Sequence, residues 1–331
     1  MKKQEITLIG STLSIETGQV ARQSSGSVIV TYGETVILVA VNASKQARED
    51  IDYFPLQVEY RERHYAGGKI PGGFFKREAR PSEHEILTSR LTDRPIRPLF
   101  PKSFKCETQV IITVLSSDGE NMADTLAGVG ASAALMISDI PFKGPIATVR
   151  VGRIDGEFVI NPTRSQMEDS DMAIIVSGNE QTIVMVEGEA KLITEEEFID
   201  ALKFSHGPIK DLIAMQNKLI GELDIVKRDV PAEETDEALA KAISELVTGK
   251  IDAAIKTGDK ANRENQISTL KAVSYTHTEP TRPLYISYAV FCLKKKNIPD
   301  IPTRAISRSI SHIVTPTNPQ HHTCINYTPF P

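Results

Sequence analysis

Cysteine is scarce in this chain of 331 residues, and the three that occur, Cys106, Cys292 and Cys324, are far apart. None has the paired spacing of a zinc site or a redox dithiol, so we expect neither a structural metal nor disulfides. No run of about 18 uninterrupted apolar residues exists, which argues against a transmembrane helix. Residues 1–5 lead directly into an alternating strand pattern without a signal-peptide apolar block. We therefore expect a cytoplasmic protein with no membrane partner.

Acidic residues and glycine almost disappear from residues 274–331, which hold two acids, Glu279 and Asp300, and no glycine. The segment has no helical or strand period and is dominated by threonine, proline, tyrosine and histidine. We interpret it as a disordered or non-native tail, of the kind that a frame shift or cloning read-through produces. The alternative is a lineage-specific disordered extension. Without this segment the net charge falls from −5 to −9, an unpromising balance for nucleic-acid binding if the charge were evenly spread.

The rest of the chain has the composition of a soluble globular protein, with a length that suits about two domains. Residue patterns predict hairpins at 6–15, 28–41 and 149–160, and further strands at 109–115, 174–176 and 183–186. Three helices are predicted: from a capping box of Ser82 and Glu85 to Pro95, over 121–137, and from Thr194 past Pro208. From Pro231 the pattern is entirely helical, with apolar residues at helical spacing as far as Ile251.

Basic residues concentrate between Arg61 and Lys105, where eleven Lys or Arg residues stand against five acids, a local charge of +6. Arg90, Arg94 and Arg97 are spaced four and three apart, so they fall on one face of a helix and its continuation. Guanidinium groups match phosphate oxygens, and a row of them can follow a sugar-phosphate backbone. The alternative is a solvated helix face on which these arginines pair with Glu83, Glu85 and Asp93.

A glycine-rich loop precedes this helix. Four glycines and a proline within residues 67–77 make a helix or strand there improbable. Phe74 and Phe75, followed by Lys76 and Arg77, combine base-stacking surfaces with charge that neutralises phosphate. The alternative is that the two rings fold back as a hydrophobic plug.

The segments 54–56, 65–77, 80–82 and 91–101, continued by 121–145, resemble the first core of polynucleotide phosphorylases, and the likeness extends to about Val273. The resemblance implies a homotrimeric ring of duplicated RNase PH-like cores. In such a ring, single-stranded RNA enters a central pore and phosphate attacks its 3′-terminal linkage to release nucleoside diphosphates. It also implies Mg²⁺ as cofactor, inorganic phosphate as co-substrate and an RNA-degradation complex as a further partner. RNA-binding residues implied by the resemblance, and consistent with the charge and aromatic pattern, are Phe74, Phe75, Lys76, Arg77, Arg80, Arg90, Arg94 and Arg97.

Catalytic residues are not expected here, because the resemblance places the chemistry in a second core. There, serines on a glycine-rich turn hold phosphate and an Asp-x-Lys segment acts with magnesium. The corresponding turn in this chain, residues 118–124, contains Asp118, Glu120 and Asp124, and the corresponding strand is the apolar Ala173-Ile174-Ile175. The three acids could form a weak oxygen site for a metal, but helix N-capping and favourable placement in the helix dipole are the better explanation, so we predict no metal ligands. His64, His84 and His206 are assigned surface or structural roles.

The sequence thus predicts an α+β fold: an RNase PH-like core with a βαβ pattern, an all-helical segment and an irregular C-terminal tail. The predicted divisions are 1–145 and 146–210 for the two parts of the core, 211–273 for the helical linker, and 274–331 for the tail. The predicted function is RNA binding within a polyribonucleotide nucleotidyltransferase of mRNA decay. Two alternatives remain: a single-core RNase PH-type exoribonuclease, and a non-catalytic ring subunit or scaffold that guides RNA.

Overall fold

The structure is a computed structural model that describes residues 2–8, 11–47, 51, 53–74, 77–78, 80–230, 241, 243–245 and 247–278, the last seven by backbone alone. Contacts divide the chain into two units, Met1–Ala232 and Glu233–Pro331. The first unit contains all the strands that the structure describes, together with four α-helices.

A six-stranded sheet forms the first layer of this unit, in the order β1-β2-β3-β4-β6-β5. Its strands are β1 Lys2–Leu8, β2 Ser11–Thr17, β3 Gly26–Tyr32, β4 Thr35–Ala43, β5 Leu56–Glu62 and β6 Thr108–Ser116. Neighbours are antiparallel except β5 and β6, which run parallel. The two predicted N-terminal hairpins are confirmed, and β4 is central, with Ile37, Val39 and Val41 fully buried.

A second sheet has four antiparallel strands in the order β10-β9-β7-β8. They are β7 Ala147–Ile154, β8 Glu157–Ile160, β9 Met172–Gly178 and β10 Ile183–Ala190. Asp155 and Gly156 join β7 to β8 with φ of 51° and 84°, as a type I′ turn requires at both central positions. The predicted hairpin is therefore confirmed.

The helices of the first unit are α1 Glu83–Ile96, α2 Ala123–Ile137, α3 Arg164–Glu168 and α4 Glu195–Gly221, with 3₁₀ turns at His64–Gly67 and Arg97–Leu99. Capping boxes begin α1 at Ser82 and α4 at Thr194, as predicted. The proposed division at 210 falls within α4, which continues past Pro208 to Gly221.

The prediction that Pro95 ends the first helix is wrong. Pro95 lies inside α1 and is buried, and the backbone N–H of Arg97 still donates to the carbonyl of Asp93. A proline removes one hydrogen bond at its own position. Only one helical residue, Ile96, follows Pro95, and the 3₁₀ turn begins at Arg97.

The second unit contains α5 Lys250–Lys256 and α6 Lys260–Thr278. Ile243 and Val247 are buried, as the helical pattern predicted, whereas Leu239 and Leu246 lie outside the described residues. The prediction of an irregular tail from residue 274 is wrong for its first five residues, because α6 continues to Thr278. Residues 260–278 contain neither proline nor glycine, so nothing in this stretch interrupts the helix. Residues 279–331 lie outside the described part of the chain.

Helix α2 packs against strands of both sheets and brings them together. Its residues from Asp124 to Leu135 are all buried. A Cβ added at Gly128 would lie 2.3 Å from Thr148 Oγ1, and one at Gly130 would lie 2.7 Å from Val39 Cγ2. The small residues of α2 therefore set how closely the helix approaches each sheet.

Candidate nucleic-acid interface

Helix α1 carries the predicted arginines along one exposed side. Arg90 and Arg94 lie within the helix and Arg97 opens the following 3₁₀ turn, and all three are exposed. At 1.5 Å rise per residue, Arg90 and Arg94 are separated by about 6 Å along the helix axis. The predicted common face is therefore present, but the three guanidinium groups have different surroundings.

Arg97 is engaged in contacts within the chain. Its Nε and Nη2 donate to the two carboxylate oxygens of Asp93 at 2.9 and 2.7 Å. Nη1 donates to the carbonyl of Phe54 at 3.2 Å and Nη2 donates to that of Leu56 at 3.1 Å. Four of the five N–H donors of a guanidinium are thus used. Arg97 fastens the end of α1 to the entry of β5, and this part of the face matches the alternative of internal pairing.

Arg94 and Arg90 form fewer contacts within the chain than Arg97 does. Arg94 Nη1 donates to Glu187 Oε2 on β10, and both side chains are about half exposed, at 50% and 46%. Arg90 has no hydrogen bond or ion pair with any other described residue. Its guanidinium is therefore available to an anion from solution.

The glycine-rich loop exposes the first of its two rings. Phe74 is 95% exposed, so it does not fill a core, and the hydrophobic-plug interpretation fails for this ring. Gly68 and Gly73 have φ of 66° and 74°, a left-handed conformation that glycine adopts without strain. Arg77 and Arg80 are exposed on the approach to α1, whereas Phe75 and Lys76 lie outside the described residues.

Glu78 anchors the end of this loop. It accepts hydrogen bonds from the backbone N–H of His64 at 2.5 Å, from His64 Nδ1 at 2.8 Å and from Arg63 Nη1 at 3.1 Å. The hydrogen bonds from His64, and then that from Arg63, hold the pKa of the Glu78 carboxyl below its usual value. Glu78, which lies shortly before α1, thus holds the end of the loop against the 3₁₀ turn at His64.

Four of the five acids between Arg61 and Lys105 are bound to partners other than Arg77, Arg80, Arg90 and Arg94. These acids are Glu62 with Tyr60 and His84, Glu78 with Arg63 and His64, Glu85 in the capping box, and Asp93 with Arg97. The positive charge of the exposed arginines is therefore not cancelled locally by these carboxylates. A concentrated cationic surface of this kind attracts polyanions.

His84 takes part in a contact that sequence reasoning did not find. Its Nε2 lies 3.3 Å from Glu62 Oε1, and the same carboxylate oxygen accepts from the buried Tyr60 hydroxyl at 2.6 Å. The hydrogen bond to Glu62 raises the pKa of His84. Burial alone would raise the pKa of Glu62, but the hydrogen bonds from His84 and Tyr60 outweigh it and lower that pKa. In its structural role, His84 thus has a specific partner, Glu62.

Stability should depend on pH through His84. Because its folded pKa lies above the unfolded value of about 6.5, its contribution is complete below that pH and is lost as pH rises through the folded pKa. The pair is partly exposed, so the effect should be below about 1 kcal/mol. Urea unfolding from pH 5.5 to 8.5 should therefore show a decline in wild type that His84→Gln lacks. His206→Gln is the matched control, since His206 meets a backbone carbonyl, that of Asn179. Equal pH profiles for wild type and His84→Gln would contradict this prediction.

Two acids of the turn at 118–124, Asp118 and Glu120, do not cap α2. The N-cap is Met122, which makes no side-chain cap hydrogen bond. Asp118 Oδ1 instead accepts from the backbone N–H groups of Glu120 and Asn121 at 2.9 and 2.7 Å. Glu120 accepts from the Ser165 hydroxyl at 2.7 Å. The helix-start explanation is therefore wrong for Asp118 and Glu120, which close the turn and bind α3. It holds for Asp124, which lies in the first turn of α2 and accepts from the backbone N–H of Thr125 at 2.7 Å.

Asp124 lies at the start of α2 and forms an ion pair with Arg150 of β7. The two side chains are 4% and 14% exposed, so the pair is largely buried. Arg150 Nε is buried without a hydrogen-bond partner in the described structure. The carboxylate therefore neutralises the cation that faces this helix start.

Strand β9 contains Ala173, Ile174 and Ile175, the apolar residues that the resemblance aligns with an Asp-x-Lys segment. Ile174 and Ile175 are buried, and β9 lies between β7 and β10. Among the described residues, no group of three or more His, Cys, Asp or Glu side chains is placed to hold a metal ion. No helix in the described part of the chain is long and apolar enough to cross a bilayer.

Two models of one protein family match the sequence. The model for domain 1 of the 3′ exoribonuclease family matches residues 11–141, and that for domain 2 matches residues 144–207, so together they span more than half of the chain. The chain belongs to the 3′ exoribonuclease family. The two matched segments meet between α2 and β7.

Curated relatives from this 3′ exoribonuclease family carry the name polyribonucleotide nucleotidyltransferase. The relative from Geotalea uraniireducens is 48% identical over 270 residues, which is 82% of this chain and 39% of the relative. The relative from Desulfatibacillum aliphaticivorans is 53% identical over 260 residues, which is 78% of this chain and 36% of the relative. The resemblance to polynucleotide phosphorylases is confirmed, and the chain spans less than two-fifths of the length of these relatives.

Two solved structures share the fold of this chain. Rice Rrp46 superposes with a TM-score of 0.51 at 14% identity, covering 62% of this chain and 94% of Rrp46. An Archaeoglobus fulgidus exosome with RNA bound to the active site gives a TM-score of 0.50 at 20% identity, covering 60% of this chain and 86% of that chain. At these identities the likeness establishes the fold alone, and the predicted RNase PH-like α+β core is confirmed.

Proposed function

We propose that this chain is the RNA-gripping part of a polyribonucleotide nucleotidyltransferase of mRNA decay. The longer enzyme degrades RNA from its 3′ end by phosphorolysis and releases nucleoside diphosphates, whereas this chain binds single-stranded RNA without turnover. The observation that carries the proposal is the exposed pair Arg90 and Arg94, four residues apart on α1, together with the exposed ring of Phe74 in the loop that precedes this helix.

The chemistry of this surface suits single-stranded RNA. Guanidinium groups at successive helix turns can neutralise successive phosphates, and an exposed aromatic ring can stack on any base. Residues 1–273 carry −9 in total, so nonspecific attraction by the whole chain is unfavourable and binding depends on the local surface. Such binding is tolerant of sequence and sensitive to salt. Phe75, Lys76, Arg77 and Arg80 belong to the proposed interface by their place in the loop, and Arg97 belongs to it as the residue that fixes the end of α1.

The absence of turnover rests on two features of the described residues. At the start of α2, Asp124 is paired with Arg150, so the cation that could attract phosphate is already neutralised. On β9, Ile174 and Ile175 offer no proton donor, proton acceptor or metal ligand. We assign no catalytic residue to this chain.

The proposal extends to the longer protein. There, Mg²⁺ and inorganic phosphate serve as cofactor and co-substrate, three copies form a ring, and the ring joins an RNA-degradation complex in the cytoplasm. Magnesium does not fit the described residues of this chain, because Asp118, Glu120 and Asp124 are each bound to neighbours. The magnesium ligands therefore belong to the part of the enzyme that this chain does not span.

Two alternative functions differ in what they require. A single-core RNase PH-type exoribonuclease needs acid-base and phosphate-binding groups, which the apolar β9 and the paired Asp124 do not supply. A non-catalytic ring subunit or scaffold needs the same RNA-binding surface and differs only in its assembly. Size-exclusion chromatography with light scattering distinguishes the ring-subunit alternative from the proposed function, since a ring subunit elutes as a defined oligomer on its own.

An RNA-binding assay and a turnover assay together test the proposal. Fluorescence anisotropy with a labelled poly(A) oligonucleotide should give a dissociation constant on the order of micromolar at low salt, weakening steeply as salt is added. Incubation with poly(A), Mg²⁺ and phosphate should release no ADP. Release of ADP would contradict the assignment of an inactive core, and failure to bind at low salt would contradict the assignment of an RNA-binding surface.

A further inference from the structure

A carboxylate from the second sheet forms an ion pair with one of the two arginines of the proposed interface. Arg94 of α1 donates to Glu187 of β10, a residue 93 positions later in the chain. The side chains are 50% and 46% exposed, so water surrounds the pair and either group can exchange partners. Exposed ion pairs of this kind contribute little to folding stability.

Arg90 provides the comparison within the same helix. It lies one turn before Arg94 and has no partner among the described residues, so an RNA phosphate can bind it without breaking a contact. At Arg94 a phosphate must first displace the carboxylate, because both anions use the same N–H donors of the guanidinium fork. Two neighbouring arginines therefore differ in how much they can contribute to RNA binding.

The backbone of β10 keeps Glu187 near Arg94. Glu187 is in register with Ile175 of β9, and the next residue, Gly188, pairs with Ile174. A Cβ at Gly188 would lie 2.2 Å from the carbonyl oxygen of Ala173, which shows how closely the two strands approach. Displacement of Glu187 is therefore a side-chain rotation, and its negative charge stays close to any phosphate that binds Arg94.

We propose that Glu187 competes with RNA phosphate for Arg94 and so lowers the affinity of this surface for RNA. The proposal rests on the function proposed above and assigns a residue of the second sheet to the control of that function.

The test is a set of glutamine substitutions in the full chain, measured by anisotropy with labelled poly(A). Glu187→Gln should bind about two- to fivefold more tightly at low salt, the range expected for loss of an exposed ion pair. The gain should shrink as salt screens the charges. Glu189→Gln is the matched control. Glu189 is exposed and lies on the same strand, and its replacement by glutamine removes the same charge. It should change affinity less than Glu187→Gln does.

An Arg94→Ala background separates competition from general repulsion. Without Arg94, removing Glu187 or Glu189 only removes one negative charge, so the two glutamine substitutions should then have equal effects. Wild-type affinity for Glu187→Gln, or the same advantage over Glu189→Gln after Arg94 is removed, would overturn this proposal and leave the RNA-binding function standing. Binding of RNA by neither wild type nor Glu187→Gln would overturn both. Thermal unfolding of each variant verifies that the comparison is between folded proteins.

Discussion

Replacing Arg90 and Arg94 together by alanine is expected to weaken binding of single-stranded RNA by roughly tenfold to a hundredfold. Each replacement removes a charge-assisted contact to phosphate, and two such contacts are worth about 1.4–2.8 kcal/mol at an exposed site. The loss should be similar for poly(A) and poly(U), because phosphate contacts do not read bases. The slope of log affinity against log salt should become shallower by about 1.4, since single-stranded binding contributes about 0.7 per phosphate contact. Anisotropy titrations at several salt concentrations measure all three quantities.

The single variants should be unequal. Arg90→Ala should cost more than Arg94→Ala, because Glu187 already weakens what Arg94 offers. The matched control removes two other exposed cations, Arg22 and Lys218, which lie outside the basic stretch. That double alanine variant changes the net charge equally and should leave the salt slope unchanged. If it weakens binding as much as the Arg90 and Arg94 variant does, the attraction belongs to the overall charge and α1 is not the interface.

Elements of this fold that depend on short-range patterns could be predicted from the sequence. The capping boxes at Ser82 and Thr194 require residues only three positions apart, and the turn at Asp155 needs two adjacent residues that tolerate a left-handed backbone. The capping box that begins α3, formed by Thr163 and Gln166, follows the same three-residue pattern in the sequence. Local hydrogen-bonding rules decide such features, so the sequence contains what is needed to find them.

The contacts that distinguish the arginines of α1 could not be predicted in this way. Arg94 meets Glu187 only because α1 and β10 come together across the fold, and Arg97 reaches the carbonyls of Phe54 and Leu56 for the same reason. Sequence spacing placed these arginines on one face but gave no information on which carboxylate would approach each of them. The partners of the acids at 118–124 could not be predicted for a similar reason, because Asp124 pairs with Arg150 of β7 and Glu120 binds Ser165 of α3.

The largest stability effect is expected at Asp124. Replacing it by alanine leaves Arg150 with its charge in a largely buried position, where Nε already lacks a hydrogen-bond partner among the described residues. Loss of one partner from a buried ion pair costs about 3–5 kcal/mol, because the remaining charge stays desolvated. Urea unfolding of the full chain, followed by circular dichroism, should show a correspondingly lower midpoint. The comparison variant is Asp200→Ala, whose pair with Lys203 is 60% and 73% exposed and which should change stability by less than about 1 kcal/mol.

Replacing both members of the pair distinguishes a buried charge from a simple loss of packing. Asp124→Leu combined with Arg150→Met removes both charges and keeps apolar volume, so the double variant should recover most of the stability that Asp124→Ala loses. If instead the double variant is as unstable as the single one, the side chains matter for their shape and not for their charge. Recovery would mean that this core uses Arg150 to satisfy Asp124 at the start of α2. The pair of Arg150 with Asp124 carries no net charge with which to attract a phosphate, and this is the physical basis for expecting RNA binding without phosphorolysis from this chain.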